Sequence, residues 1–200
     1  WSFTIQRQEL KAPELLSPSD GEELYNQQPT FSVSTVNGAV RYEFQLARDI
    51  TFTQIIKEQS HTKPGIVPTS PLPWGQIYWR ARVRNADGVS SPWSGTNSLS
   101  LTILKTPLDG IHAIYPKAAF AWYAVTGAEE YALRVDDDPT LSSPLVNVNG
   151  LTGKSYGMAE DLGLGTWYWS MQVRTQSGWS GWMSPRSFKV VSGLLSAPTL

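Results

Sequence analysis

Cysteine is absent from these 200 residues, which excludes disulfides, thiolate metal sites and cysteine nucleophiles together. Histidine is almost absent: only His61 and His112 occur, and neither has a second histidine or a nearby carboxylate at metal-ligand spacing. Surplus charge is missing too, since 16 Lys+Arg stand against 17 Asp+Glu for a net charge of −1. The balance is local as well, with 7 basic and 8 acidic side chains in residues 12–104 and again 7 and 8 in residues 105–195. That argues against nucleic acid or an anionic membrane surface recruited by bulk charge. No apolar run is long enough to span a bilayer, and no segment reads as a signal peptide. Neither a Gly-x-Ser-x-Gly elbow nor a phosphate-binding glycine loop is present. These absences point to a chain that is not an enzyme, carries no cofactor or metal, and binds neither nucleic acid nor membrane interior. What is present is a 40% hydrophobic fraction with nine tryptophans, enough for a packed core.

The chain repeats itself. Pro18-Ser19-Asp20-Gly21 matches Pro107-Leu108-Asp109-Gly110 at an offset of 89, as Val36-Asn37-Gly38-Ala39 matches Val125-Thr126-Gly127-Ala128. Tyr42-Glu43-Phe44-Gln45-Leu46 likewise matches Tyr131-Ala132-Leu133-Arg134-Val135. Further along the offset becomes 90, pairing Tyr78-Trp79 with Tyr168-Trp169 and Gly88 with Gly178. At an offset of 185, Ser2-Phe3-Thr4 corresponds to Ser187-Phe188-Lys189 and Ala12-Pro13 to Ala197-Pro198. The expected organisation is therefore the end of one repeat and a linker (1–11), two full units (12–104 and 105–192), and the start of a further repeat (193–200). From Phe3 to Asp20 is 17 residues but from Leu99 to Asp109 only 10, so tight and loose joints should alternate along a longer array.

Short runs alternate apolar and polar residues, as in Phe31-Ser32-Val33, Phe120-Ala121-Trp122 and Ile77-Tyr78-Trp79-Arg80-Ala81-Arg82-Val83. Asp-Gly and Asn-Gly pairs and most of the 14 prolines punctuate them. No window keeps a helical apolar stripe over three turns. About seven short strands in some 90 residues is the signature of an antiparallel β-sandwich. The predicted fold is all-β, two tandem sandwiches with partial repeats at both ends.

Both units resemble fibronectin type III domains, an immunoglobulin-like sandwich, in the form common in large bacterial and archaeal surface and secreted proteins. The residues carrying the resemblance are Pro18-Ser-Asp-Gly21, Pro29-Thr-Phe31-Ser-Val33, Gly38-Ala39 with Tyr42-Glu-Phe-Gln-Leu46, Tyr78 to Gly88, and Ser91-Pro-Trp93-Ser94. In the second copy they are Phe120-Ala-Trp122, Gly127-Ala128 with Tyr131, Leu162 to Trp169, and Gly178-Trp-Ser-Gly-Trp182. The second-strand tryptophan of that family is Trp122 in one unit and Val33 in the other. The family's inward tyrosine is displaced, because Tyr78 and Tyr168 have the wrong parity and Ile77 or Trp167 takes the inward place.

Three features are candidates for function. The acidic run Asp136-Asp137-Asp138-Pro139 could supply calcium with oxygens, but the first copy has Arg48-Asp49 there and no Asp-x-Asp-x-Asp-Gly loop exists, so it reads as a solvated turn. His112 falls in a turn after Asp109-Gly110. Trp179-Ser180-Gly181-Trp182 resembles the Trp-Ser-x-Trp-Ser element of cytokine-receptor fibronectin domains, with Met183 interposed. In that element tryptophans interleave with arginines of a neighbouring strand by cation–π contact. Arg80, Arg82 and Arg84 in the first unit and Arg174 in the second are the outward arginines, with Trp93, Trp179 and Trp182 as partners. They form either an intramolecular Trp–Arg ladder or an aromatic platform for a glycan or protein ligand. The third candidate is the orphan strand Ser2, Phe3, Thr4 and Ile5, an assembly element that would pair with a neighbouring repeat or a second copy.

The reading these features support is a non-catalytic structural or adhesive repeat segment of a long extracellular or cell-surface protein, self-assembling into a fibre or surface layer. A glycan- or protein-binding module is the alternative. The second is an accessory region of a secreted polysaccharide-degrading enzyme.

Overall fold

The computed structural model describes residues 10–113 and 117–192, which contain strands and turns and no helix. Ser2–Ile5, expected as an assembly strand, and the expected repeat start at 193–200 lie outside the described residues. The chain divides into two compact units at Leu101/Thr102, so residues 102–104 go with the second unit rather than the first.

Unit 1 runs through β1 (Leu15–Ser17), β2 (Glu22–Leu24), β3 (Phe31–Val33), β4 (Arg41–Ala47), β5 (Ile55–His61), β6 (Gly65–Ile66), β7 (Gly75–Arg84) and β8 (Asn97–Leu101). One sheet has the order β1-β3-β6, the other β2-β8-β7-β4-β5. Unit 2 repeats this with β9 (Leu104–Thr106), β10 (Ile111–Ala113), β11 (Ala119–Trp122), β12 (Glu130–Asp136), β13 (Val146–Leu151), β14 (Ser155–Gly157), β15 (Gly165–Thr175), β16 (Gly178–Trp179) and β17 (Arg186–Val190). Its sheets are β9-β11-β14 and β10-β17-β15-β12-β13, with β16 folded back on β15.

The sandwiches are not wholly antiparallel. β2 pairs with β8, and β10 with β17, in parallel. The cause is a break in the first strand of each unit at Pro18 or Pro107, residues that have no N–H to continue a ladder. Before the proline the chain pairs antiparallel with β3 or β11; after it the chain crosses to the other sheet. His112 accordingly sits in β10 beside Lys189, not in a turn.

The crossing is fastened identically in both units. The Asp20 carboxylate accepts the backbone N–H of Ser98 at 2.7 Å and its hydroxyl at 2.9 Å, while Gly21 N–H donates to the Ser98 carbonyl at 2.9 Å. Asp109, Ser187 and Gly110 repeat all three bonds at 2.7, 2.9 and 2.9 Å. Gly21 and Gly110 have φ of 75° and 70°, a conformation in which glycine avoids the Cβ penalty.

Between the sheets lies an aromatic core. β7 alternates without interruption, burying Ile77, Trp79, Ala81 and Val83 and turning Tyr78, Arg80, Arg82 and Arg84 outward. Phe31 meets Trp79 edge-on at 5.1 Å, and in unit 2 Phe120 meets Trp169 at 5.2 Å and Phe188 at 5.8 Å. Trp122 packs on Tyr131 at 5.6 Å. Tyr42 and Tyr131 also use their hydroxyls to accept the N–H of Val36 and Val125, tying β4 and β12 to the turn that precedes each. Ile77 is fully buried, but Trp167 is only half-buried, because its indole N–H reaches back to the Gly163 carbonyl at 2.8 Å.

A second repeated device follows β4 and β12. Asp49 accepts hydrogen bonds from the Thr51 hydroxyl, from Thr53 N–H at 3.0 Å and from Gln54 N–H at 2.7 Å; Asp138 accepts both N–H and hydroxyl of Thr140 at 2.6 Å. Each turn ends on a left-handed, buried residue, Phe52 (φ 56°) or Leu141 (φ 53°). Asp136 is buried rather than solvated and accepts Ser143 N–H at 2.9 Å. Hydrogen bonds from Thr51 and from Thr140 hold the Asp49 and Asp138 carboxyls below the ordinary value of 3.8, and bonds from Ser98 do the same for Asp20. With folded pKa values depressed, these groups stabilise the fold above pH 3.8 and lose that contribution as pH falls through their folded values. The thermal midpoint should therefore hold steady from neutral pH to about pH 4 as far as these groups decide it, then fall. Asp49→Asn should lower the midpoint at pH 7 and flatten the acid limb; an unchanged limb would show that the turn contributes nothing.

Candidate functional site

The outward face of β4, β5 and β7 collects the polar chemistry of unit 1. Register places Arg82 opposite Glu43, Arg80 opposite Gln45 and Arg84 opposite Arg41. Opposite charges facing across strands attract, so Arg82 Nε reaches Glu43 at 2.6 Å, and Arg84 binds the other Glu43 oxygen at 3.0 Å. Arg80 donates twice to the side-chain Oε1 of Gln45, at 3.0 and 2.8 Å.

Two aromatic side chains reach this face from loops. Phe52 arrives through the left-handed turn after β4, and Trp93 from the segment after β7. That segment is pinned to β7 by serines on either side of the tryptophan: Ser91 Oγ accepts Val83 N–H at 3.1 Å and Ser94 Oγ accepts Ala81 N–H at 3.0 Å. The return bonds, Ser91 and Ser94 N–H to the carbonyls of Val83 and Ala81, are each 2.8 Å. Trp93 is thereby laid across the arginine column. The Arg80 guanidinium lies 4.0 Å from the Phe52 ring and 4.6 Å from the Trp93 ring, and Arg82 lies 4.5 Å from Trp93. Phe52, Arg80, Trp93 and Arg82 form one continuous stack. Burial, then the neighbouring charge of Arg82, pull Arg80 below the ordinary arginine value, but a guanidinium stays protonated at neutral pH. Beside the stack, Glu43, Gln45, Glu58, Ser60, Arg82 and Trp93 line an open recess of about 290 Å³.

Unit 2 builds a shorter version. Ser180 repeats Ser91, its Oγ accepting Val173 N–H at 3.1 Å. At the position of Ser94 stands Met183, whose buried sulfur accepts Ile103 N–H at 3.3 Å. Trp182 is stacked by Arg134 of β12 at 4.3 Å, not by Arg174. Arg174 lies 5.9 Å from Trp179, which is 41% exposed, and forms ion pairs with Glu130 at 2.7 Å and Glu129 at 3.6 Å. Arg84, placed with the stacking arginines on sequence grounds, serves Glu43 instead. Arg134 and Phe52 join the stacks without having been expected from the sequence. Both sit at positions repeated at the 89-residue offset, Phe52 with Leu141 and Arg134 with Gln45.

Among the described residues, no group of three or more His, Asp or Glu is placed to hold a metal, and no helix is long and apolar enough to cross a membrane. His61 Nδ1 accepts the Lys63 N–H at 3.0 Å, a local turn bond. The arrangement offers stacked cations, carboxylates and hydroxyls.

No family model and no curated protein matches the chain. Among solved structures it is similar to the fibronectin(III)-like modules of CbhA from Clostridium thermocellum, at 10% identity, over 44% of this chain and 94% of that one, with a TM-score of 0.34. It is also similar to the FN1–FN3 domains of chicken CNTN1, at 14% identity, over 90% of this chain and 68% of that one, with a TM-score of 0.35. Strand order and register define the fold.

Proposed function

We propose that the two fibronectin type III-like β-sandwiches together form a non-catalytic spacer that carries tension in a long extracellular or cell-surface protein. The observation that supports this is the parallel pairing of the first and last strands in both units, each fastened by the same Asp–Ser clasp. Pulling the two ends of such a unit drags parallel neighbours in opposite directions. Every bond between them is then loaded at once, in shear, rather than opened one after another. Charge-assisted bonds such as Ser98 N–H to Asp20 are the strong members of that set.

The aromatic side chains fit this reading. Trp93 and Trp182 have guanidinium groups against their rings, so they brace the outer sheet instead of offering a bare platform to a sugar. Trp179 is the one member of the set with substantial free surface.

Force spectroscopy on the 200-residue chain tests the proposal. Stretching should give two unfolding peaks, with Asp20→Ala lowering one and Asp109→Ala the other. Extension without peaks, or peaks that ignore both substitutions, would remove the tension-carrying role.

A further inference from the structure

The two units carry opposite charge at opposite ends, and this asymmetry names a partner. In unit 1, the register pairs Tyr42 with His61 and Arg41 with Arg84, so the start of β4, the end of β5 and the end of β7 meet at one end. Arg41, Lys63 and Arg84 gather there, with the exposed carboxylate of Asp87. Lys11 and Glu14 precede β1 at this end too and offset each other; Glu14 N–H is held by Ser34 Oγ at 2.9 Å. Glu43 reaches Arg84 but is shared with Arg82.

In unit 2 the pairing of Asp136 with Tyr168 brings the end of β12 and the beginning of β15 to the other end of the sandwich. Exposed Asp137 and Asp138 follow β12 there, and exposed Glu160 and Asp161 precede β15. Among the described residues, Lys117, 4.0 Å from Asp161, and Lys189 of β17 oppose these four carboxylates.

We propose that the basic end of unit 1 docks on the acidic end of unit 2 in a second copy of this chain. The contact is heterologous, so each copy that docks by one end keeps its other end free for a further copy, head to tail. Charged groups at solvent-exposed ends attract over a screening distance of about 8–10 Å at physiological salt, which makes the contact weak and salt-sensitive. This inference does not rest on the tension-carrying role: a spacer can carry load without self-association, and the two are tested by different measurements.

The test is light scattering of the 200-residue chain over a wide concentration range at low and at high salt. At low salt the average mass should climb with concentration from 22.2 kDa, and high salt should return it to that value. Two double variants locate the surfaces: Arg41→Glu with Lys63→Glu, and Asp137→Lys with Glu160→Lys. Each alone should stay at 22.2 kDa, because both of its ends then carry one sign. Mixed together they should associate again, since each supplies the charge the other lost. Circular dichroism and thermal midpoints matching the parent chain exclude unfolding as the cause of lost association; all four positions are exposed. A constant 22.2 kDa at low salt would overturn the proposal. So would association that both double variants leave unchanged, or variants that fail to rescue each other when mixed.

Discussion

Truncating Trp79 or Trp169 to alanine should cost the sandwich that contains it about 3–5 kcal/mol, the usual penalty for emptying a buried aromatic site. Both indoles have no solvent exposure, and both are wedged against a phenylalanine of the facing sheet, Phe31 at 5.1 Å and Phe120 at 5.2 Å. The cavity would open at the centre of the aromatic layer, where neither sheet can close over it without breaking strand pairing. For a domain of this size each kcal/mol moves the thermal midpoint by about 4–8 °C, so a fall of roughly 12–40 °C is expected. Urea denaturation followed by circular dichroism measures the loss directly. Trp79→Phe and Trp169→Phe, which keep a ring in the layer, should recover part of it. A loss below about 1 kcal/mol would mean the indole is not a core element.

Those core positions are legible from sequence alone, because β7 spans ten residues of strict alternation. Its inward and outward sets can be separated without knowing any partner strand. The offsets of 89 and 90 then transfer the reading to β15 as far as Trp169. The broken first strand is different. β1 and β2 have three residues each, too few for a period of two to show, and their choice of sheet depends on a serine 78 positions away. Arg134 was hidden for another reason: it lies between the buried Leu133 and Val135, and only the register of β12 on β15 shows that it shares a face with Trp182. The Asp-x-Thr motif ending on Phe52 or Leu141 was visible at an offset of 89, yet the run of aspartates before Pro139 obscures it in the second copy. Signals confined to one strand were readable; those set by two strands meeting were not.

The tryptophans of the outer face should lose stability in a graded order set by how many guanidinium groups each one holds. Trp93 is braced by two arginines at 4.6 and 4.5 Å, and Arg80 is in turn backed by Phe52 at 4.0 Å. Each exposed cation–π contact is worth about 0.5–1 kcal/mol. Covering half an indole adds roughly 1 kcal/mol, so Trp93→Ala should cost about 2–3 kcal/mol. Trp182 holds a single arginine at 4.3 Å and should cost about 1.5–2 kcal/mol on the same bookkeeping. Trp179, 41% exposed and 5.9 Å from Arg174, should stay within about 0.5 kcal/mol of the parent. Denaturant melts of the three alanine variants read the series, and Arg80→Gln should reproduce part of the Trp93 loss because it removes the layer between Phe52 and Trp93. The order matters more than any single value. If Trp93→Ala were as silent as Trp179→Ala, the stack would contribute nothing to the fold, and a face built of arginine, carboxylate and indole would have to be explained by a ligand it binds. If the losses fall in the order of guanidinium contacts, these aromatic groups are already occupied by their own chain, and what remains free for a partner is the charge at the ends of the sandwiches.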